Sequence, residues 1–348
     1  MRIAVVPGYS GDFLATVQDI LDYESAGADM AFVPEVYTFD AVSQLGYLAA
    51  KTERIELGSG ILPIYTRTPS LLAMTAAGLD YVSGGRFTLG LGASGPQVIE
   101  GFHGVPYDAP LARTREIVTI CRQVWRRERV VQQGKHYPIP LPADQGTGLG
   151  KPLKLINHPV RDRIPIMIAS IGPRNVQLTA EIAEGWQPFF FLPEQAEQVW
   201  GESLAAGHAR RDPELPELDI VVQPTLAITD DPEAAYDRVR PTVALYVGGM
   251  GARGHNFYND LARRYGYEAE AELIQDLYLA GKKAEAAAAV PHELLERISL
   301  IGPEGHVRER IAAMRSAGVS TITITPLAPT RAERVKLVER MRQLVDEV

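Results

Sequence analysis

An alternation between short apolar runs and longer amphipathic segments, kept up over most of its length, constrains this chain more than any other feature. IAVVP (3–7), MAFV (30–33), IELGSGIL (55–62), RFTLGLG (86–92), IPIMIAS (164–170), WQPFFFL (186–192), DIVVQPTLAIT (219–229) and VSTITIT (319–325) have the length and content of strands. Helical periodicity marks 11–27, 40–52, 70–85, 111–128, 173–185, 193–211 and 331–347; in the last of these Val338, Met341 and Val345 recur at helical spacing. Continuously apolar strands such as IPIMIA suit a sheet covered on both faces. Strands nearly all followed by helices read as parallel βα units, and eight of them predict an α/β fold closed as a (β/α)8 TIM barrel. A doubly wound open sheet is the alternative. Two stretches fall outside the rhythm: a Pro- and Gly-rich excursion at about 129–163, and 230–318, read as an insertion over the barrel mouth. No linker, charge block or repeat separates them, so residues 1–348 read as one domain.

The charge balance, 35 − 43 = −8, argues against a nucleic-acid or anionic-membrane partner. A single cysteine, Cys121, excludes a disulfide framework or a multi-cysteine metal site; it shares a helical face with Ile117, Ile120 and Val124 and reads as a core thiol. None of the seven histidines has metal-ligand spacing, so no metal is expected. The opening MRIAVVPGYSGD lacks signal-peptide character and no apolar run reaches membrane-spanning length. A cytoplasmic enzyme acting on a small molecule is the expectation. G-x-S-x-G and P-loop patterns are missing, which disfavours hydrolase and phosphoryl-transfer readings.

Candidate site residues cluster where strands end, the rim on which barrel chemistry occurs. GLGASG (90–95) matches G-x-G-x-x-G, but it follows the fourth strand and runs into Pro96. The dinucleotide fingerprint follows a first strand and opens a helix. Gly249, Gly251 and Gly254 give a second match after a helix, so the pattern alone is cheap. A βα loop whose glycines let backbone approach a flat ligand or phosphate is the better reading. In SIGPRNV (170–176), Gly172 permits a turn and Pro173 fits the first helical position, leaving free N–H groups with a positive dipole. That is a phosphate cradle or simply a tight turn. Glu35 and Tyr37 close the second strand, where a carboxylate can accept hydrogen bonds from a ligand, act as acid or base, or simply be a solvated rim charge. Ser59, Gly60 and Ile61 sit in the third strand, where a glycine marks a bulge. His103 and His255 lie in loops near the rim, and Trp186, Phe189, Phe190 and Phe191 wall a pocket or fill the core. Tyr9, Tyr37, His103 and Phe190 are the candidate substrate contacts.

PIYTRTP (63–69), AMTAAGLDYVSGGRFTLGLGASGPQV (73–98), GFHGVPY (101–107), PLARTREIV (110–118), GLGKPLKLI (148–156) and GPRNVQLTAEIAEGW (172–186) together resemble the luciferase-like monooxygenase superfamily. They are most similar to its deazaflavin-dependent branch, the group like methylenetetrahydromethanopterin reductase. The resemblance spans the chain in order. It implies a barrel with insertions, a homodimer, and coenzyme F420, a deazaflavin, at the C-terminal ends of the strands, with FMN as the alternative cofactor. It implies that Glu35 approaches the deazaflavin, as cofactor ligand and candidate catalytic residue. It further implies that Ser59, Gly60 and Ile61 back the ring across a bulge that often holds a cis peptide. Ala93, Ser94, Gly95, Gln97 and Val98 would flank the cofactor side chain. Ala169, Ser170, Ile171, Gly172, Pro173 and Arg174 would hold its phosphate. Sugar-phosphate dehydrogenases of the family place a catalytic histidine after the acidic residue; here that position is Val36, which departs from their pattern. Hydride transfer needs alignment and exclusion of water, not a protein nucleophile, so Glu35, Tyr37 or His103 would serve only as a proton donor or acceptor.

Three functions stand in order of preference: an F420-dependent oxidoreductase moving hydride to or from a small organic substrate, a reduced-FMN monooxygenase, and a non-catalytic flavin-binding protein.

Overall fold

The computed structural model describes residues 1–7 and 11–348. Its strands are β1 (Arg2–Val5), β2 (Met30–Val33), β3 (Glu56–Ser59), β4 (Leu62–Pro63), β5 (Phe87–Gly92), β6 (Ile166–Ala169), β7 (Gly185–Gln187), β8 (Asp219–Val222), β9 (Thr225–Ile228), β10 (Leu300–Gly302) and β11 (Thr321–Pro326). Every pairing between them is parallel. The order β1-β2-β3-β5-β6-β7-β8-β11 returns on itself because β11 pairs with β1, Arg2 opposite Thr321 through Val5 opposite Ile324. An open sheet has no such pairing, so the barrel is closed and the doubly wound alternative falls.

Three runs expected as single strands behave differently. IELGSGIL breaks at Gly60–Ile61 into β3 and β4. DIVVQPTLAIT breaks at Gln223–Pro224 into β8 and β9, since proline brings no N–H to a ladder. Of WQPFFFL only the first two residues lie in strand, at the end of Gly185–Gln187; Phe190 takes φ +49° and carries the chain off the sheet. Within 230–318 the structure adds β10, a strand the hydropathy pattern did not mark, paired with β9. Helix starts follow local chemistry. The Asp12 carboxylate accepts from the N–H groups of Leu14 and Ala15, and Thr330 and Glu333 form a reciprocal cap on the helix Arg331–Glu347. Among the described residues no helix is long and apolar enough to cross a membrane.

The core has two bodies. The larger lies between the sheet's outer face and the helices and contains Trp125, Trp186, Trp200 and Cys121. Burial pushes the Cys121 thiol up to about 12, so it is an inert core group, as its helical face implied. The smaller lies inside the barrel: Ala4, Met30, Phe32, Met167 and Val221. Phe32 fills this lumen, and a Cβ on Gly58 would stand 2.5 Å from its ring.

Candidate functional site

Parallel strands end together, and the helices that come after them begin there, so one rim collects strand C-termini and helix N-termini. The loop after β2 carries Glu35, a buried carboxylate. Arg67, four residues beyond β4, grips it from both nitrogens at 2.6 and 3.0 Å. The N–H of Ala41 donates to Oε2 at 3.0 Å, and Arg67 also reaches Asp40 at 2.8 Å. The Glu35 hydrogen bond keeps the Arg67 guanidinium firmly charged. Glu35, expected as a candidate catalytic residue, therefore has both oxygens committed. It ties the loops after β2 and β4 together as a positioning group rather than waiting as a free base.

The Gly60–Ile61 bond is cis, at the bulge where the resemblance placed one. Ser59 is buried and its hydroxyl both donates to the carbonyl of Gly90 and accepts from its N–H, each at 2.9 Å. A Cβ on Gly90 would meet the Ser59 carbonyl oxygen at 1.8 Å, and one on Gly92 would meet Ile61 at 2.9 Å. The first two glycines of GLGASG thus serve protein packing: they let β5 come close under the bulge. Only the second half of the motif leaves room for the ligand approach that the sequence suggested for the whole of it. There Ser94 has φ +57° and Gly95 has open space where a Cβ would be. Gly95 precedes the short helix Pro96–Ile99; Ala93 is half-buried, Gln97 exposed and Val98 buried.

Two indoles shape the loop after β6. Trp186 Nε1 donates to the carbonyl of Ser170 at 2.9 Å and Trp200 Nε1 to that of Ile171 at 3.2 Å. The Ser170 hydroxyl pairs with that of Thr179. Gly172 starts the helix Pro173–Ile182 with no side-chain cap, and space is open around it. Ala169 and Ile171 are half-buried, while Pro173 and Arg174 face solvent. Pro173 brings no N–H and that of Asn175 donates to the Gly172 carbonyl at 3.0 Å, so the capacity of this first turn for an anion rests on the N–H of Arg174.

The aromatic residues divide. Trp186 and Phe191 enter the core against Trp200. Phe189 and Phe190 stay at the rim, their rings 4.4 Å apart, against Tyr246 and Tyr258 from the 230–318 region. Tyr265 fixes this loop: its hydroxyl donates to the Phe190 carbonyl at 2.8 Å and accepts from the Leu192 N–H at 3.4 Å. Burial raises the Tyr258 phenol, and the nearby phenols of Tyr246 and Tyr107 add to it. Tyr107 in turn donates to the Ser94 carbonyl. Tyr37 and His103 come together through Phe102, which lies 6.3 Å from one ring and 5.1 Å from the other. His103 Nε2 is buried without a partner. His255 is exposed, and Tyr9 lies outside the described residues.

Arg67, Tyr107, Tyr246, Tyr258 and Tyr265 were not singled out from the sequence. Arg67 sat in a quoted block, PIYTRTP, but its partner is 32 residues away. The tyrosines of 230–318 carry no periodic signal. Together the rim carries the β3 bulge, an aromatic cluster and the uncapped helix start at Gly172.

Residues 2–321 match the family described as luciferase-like monooxygenase. A Mycobacterium tuberculosis protein, Rv3520c, whose name assigns it provisionally to the coenzyme F420-dependent oxidoreductases, is 44% identical over 306 residues, 87% of this chain and 88% of its own. The F420-dependent tetrahydromethanopterin reductase of Methanopyrus kandleri superposes with a TM-score of 0.80 over 98% of this chain and 97% of its own, at 23% identity. The oxygenating constituent of 3,6-diketocamphane monooxygenase from Pseudomonas putida, in complex with FMN, has a TM-score of 0.65 at 19% identity, covering 99% and 97%.

Proposed function

The chain belongs to the luciferase-like monooxygenase family, among its F420-dependent oxidoreductases, and on that premise we propose that it moves hydride between coenzyme F420 and a small organic substrate in the barrel mouth. The observation that carries the reading is the meeting, on one rim, of the Ser59–Ile61 bulge, the open Ser94–Gly95 turn and the uncapped helix start at Gly172. These residues fit a flat ring bearing a phosphate. Ser59, Gly60 and Ile61 would back the ring, Ala93, Ser94, Gly95, Gln97 and Val98 would flank its side chain, and Ala169 to Arg174 would take the phosphate on N–H groups. Bound there, the deazaflavin supplies a ring carbon that gives or takes hydride. The chain's task is alignment and dryness. Glu35, through Arg67, ties the loops after β2 and β4 together, and Phe189, Phe190, Tyr246 and Tyr258 would limit water beside the ring. A proton, where the substrate needs one, falls to His103 or Tyr37, because His103 Nε2 has no competing partner. Val36 leaves no histidine after Glu35 for sugar-phosphate chemistry.

Titration with F420 and separately with FMN, read by cofactor fluorescence, tests this. Micromolar binding of F420 alone is the expected result. Preference for FMN with oxygen consumption would overturn it in favour of a monooxygenase, and binding of neither would favour the non-catalytic reading.

The partner we propose is a second copy. Leu71, Met74, Tyr81 and Val82 stand exposed along one side of the helix Pro69–Ser83, Gly78 between them has open space, and Val160 continues the apolar surface beside Gly85. Light scattering should give twice 38.1 kDa, and Met74→Glu should halve it.

A further inference from the structure

Large apolar side chains stand in water where the strands finish. Leu14 lies in the first turn of the helix that follows β1, Tyr37 and Phe39 in the loop after β2, Phe102 in the segment after β5, and Phe257 in the 230–318 region. Their exposures run from 51% at Phe257 to 83% at Phe39. Apolar groups scattered singly are ordinary, but five around one rim mark a binding face. Inside that ring the strand ends offer neutral polar groups. Gln187 pairs in register with Ala169, two residues beyond the lumen residue Met167, and Gln223 lies two residues beyond the lumen residue Val221. The Gln187 amide nitrogen donates to the Gln223 side-chain oxygen at 3.4 Å. Among the described residues no other side-chain hydrogen bond reaches this pair, which leaves the oxygen of Gln187 and most of the NH2 of Gln223 unmet. Thr323, opposite the lumen residue Ala4, comes beside Gln223 in the register of β11 with β8, and its hydroxyl is buried without a partner. The rim charges Glu35, Arg67 and Asp40 are committed to one another.

We infer that the substrate is an uncharged, largely apolar carbonyl compound or alcohol, its oxygen held at Gln187 and Gln223 and its hydrocarbon body laid across the rim at Phe39 and Phe102. The inference rests on the cofactor reading above. In barrel order the bulge and the 172–174 loop take the arc from β3 to β6, which leaves the arc from β7 through β8 to β11 for the other reactant. A carboxamide pair supplies one donor and one acceptor, enough for a carbonyl or a hydroxyl. A carboxylate or phosphate in the same place would lose its water without gaining a cation. The exposed aromatic rings cover hydrocarbon without demanding any charge from it.

The test uses the full chain and Nile red, an uncharged apolar dye, with 2-nonanone and nonanoate as competitors of equal carbon number. Dye emission reports occupancy, and a separate fluorescence titration with F420 reports on the cofactor. Nile red should bind, and 2-nonanone should displace it at concentrations about tenfold lower than nonanoate. Gln223→Leu should weaken 2-nonanone about fivefold, whereas a purely apolar surface would gain from that change. Phe39→Ser/Phe102→Ser, checked for fold by circular dichroism, should weaken dye and ketone alike by about tenfold. No dye binding, equal displacement by ketone and carboxylate, or a ketone affinity that survives both sets of substitutions overturns the inference. A double variant that loses only its dimer also overturns it, since the apolar rim would then be an interface between copies. F420 binding alongside any of those results leaves the cofactor reading intact. The expected displacements in a chain that binds no F420 would keep the uncharged apolar site and remove the cofactor reading. If neither dye nor F420 binds, both fall.

Discussion

Where the strands begin, most charged groups are paired with one another, although the Nε atoms of Arg122 and Arg342 are buried without a partner; where the strands end, several groups are left over. At the closed end Arg2 bridges Glu56 at 3.0 Å and Asp219 at 2.5 Å. Glu24 accepts from three successive N–H groups, those of Glu53, Arg54 and Ile55. The Arg86 guanidinium donates to the carbonyls of Ser83, Ile55, Ala49 and Thr52. Asp29 takes the N–H of Ile3 and the guanidinium of Arg342. At the mouth the helix at Gly172 starts uncapped, His103 Nε2 has no partner, Ser94 and Phe190 hold positive φ, and Tyr37, Phe39 and Phe102 stand in solvent. The same eight strands thus keep stability at one end and unmet binding capacity at the other, the division of labour that barrels permit.

Four measurements put that contrast at risk. Gly90→Ala, at the floor of the mouth, should be the most damaging: its Cβ would collide with the Ser59 backbone, and the loss should reach about 3 kcal/mol or prevent folding. A normal urea midpoint for this variant would show that the bulge yields freely. Arg86→Ala strips four carbonyls of a charged donor at the closed end and should cost about 2 kcal/mol by chemical denaturation, with cofactor affinity unchanged. Tyr37→Ala, at the open end, should do the reverse: stability within about 0.5 kcal/mol of the parent, but substrate KM raised severalfold. Equal stability losses in Arg86→Ala and Tyr37→Ala would erase the distinction. The fourth measurement, silent at neutral pH, concerns Cys121. Its folded pKa of about 12 lies above its ordinary 9.0, so below pH 9 it adds no pH dependence. Between 9 and 12 only the unfolded chain ionises, and stability should fall by at most about 1.4 kcal/mol per pH unit. Cys121→Ser should remove that slope, and native protein should not react with a thiol reagent at pH 8.

Strand existence was legible because buried parallel strands are short, apolar and followed by helices; β2 and the helix Arg331–Glu347 fall on their expected residues. Strand ends were less so. The aromatic run after Trp186 has strong strand propensity, yet Tyr265, some 75 residues on, captures the Phe190 carbonyl and holds the chain off the sheet. Local pattern cannot register a partner that distant. The site divides the same way. Glycine and proline at 60, 95, 172 and 173 announce backbone geometry in one dimension. The Glu35–Arg67 pair and the Tyr246–Tyr258 wall exist only once the barrel has brought separate segments together. GLGASG was visible as a motif, but its first two glycines owe their identity to Ser59 and Ile61, contacts that sequence spacing does not encode.

The pairing of β1 with β11 also sets a timetable. Of these strands Arg2–Val5 leaves the ribosome before the others, and its last neighbour, Thr321–Pro326, lies some 320 residues behind it. At about 5–20 residues per second, one edge of Arg2–Val5 waits on the order of 15–60 s for that neighbour. During that interval the nascent chain offers an unpaired apolar edge to whatever is near it. Synthesis speed and chaperone access in the final stretch, rather than the stability of the finished barrel, would then govern how much of this protein is recovered in soluble form.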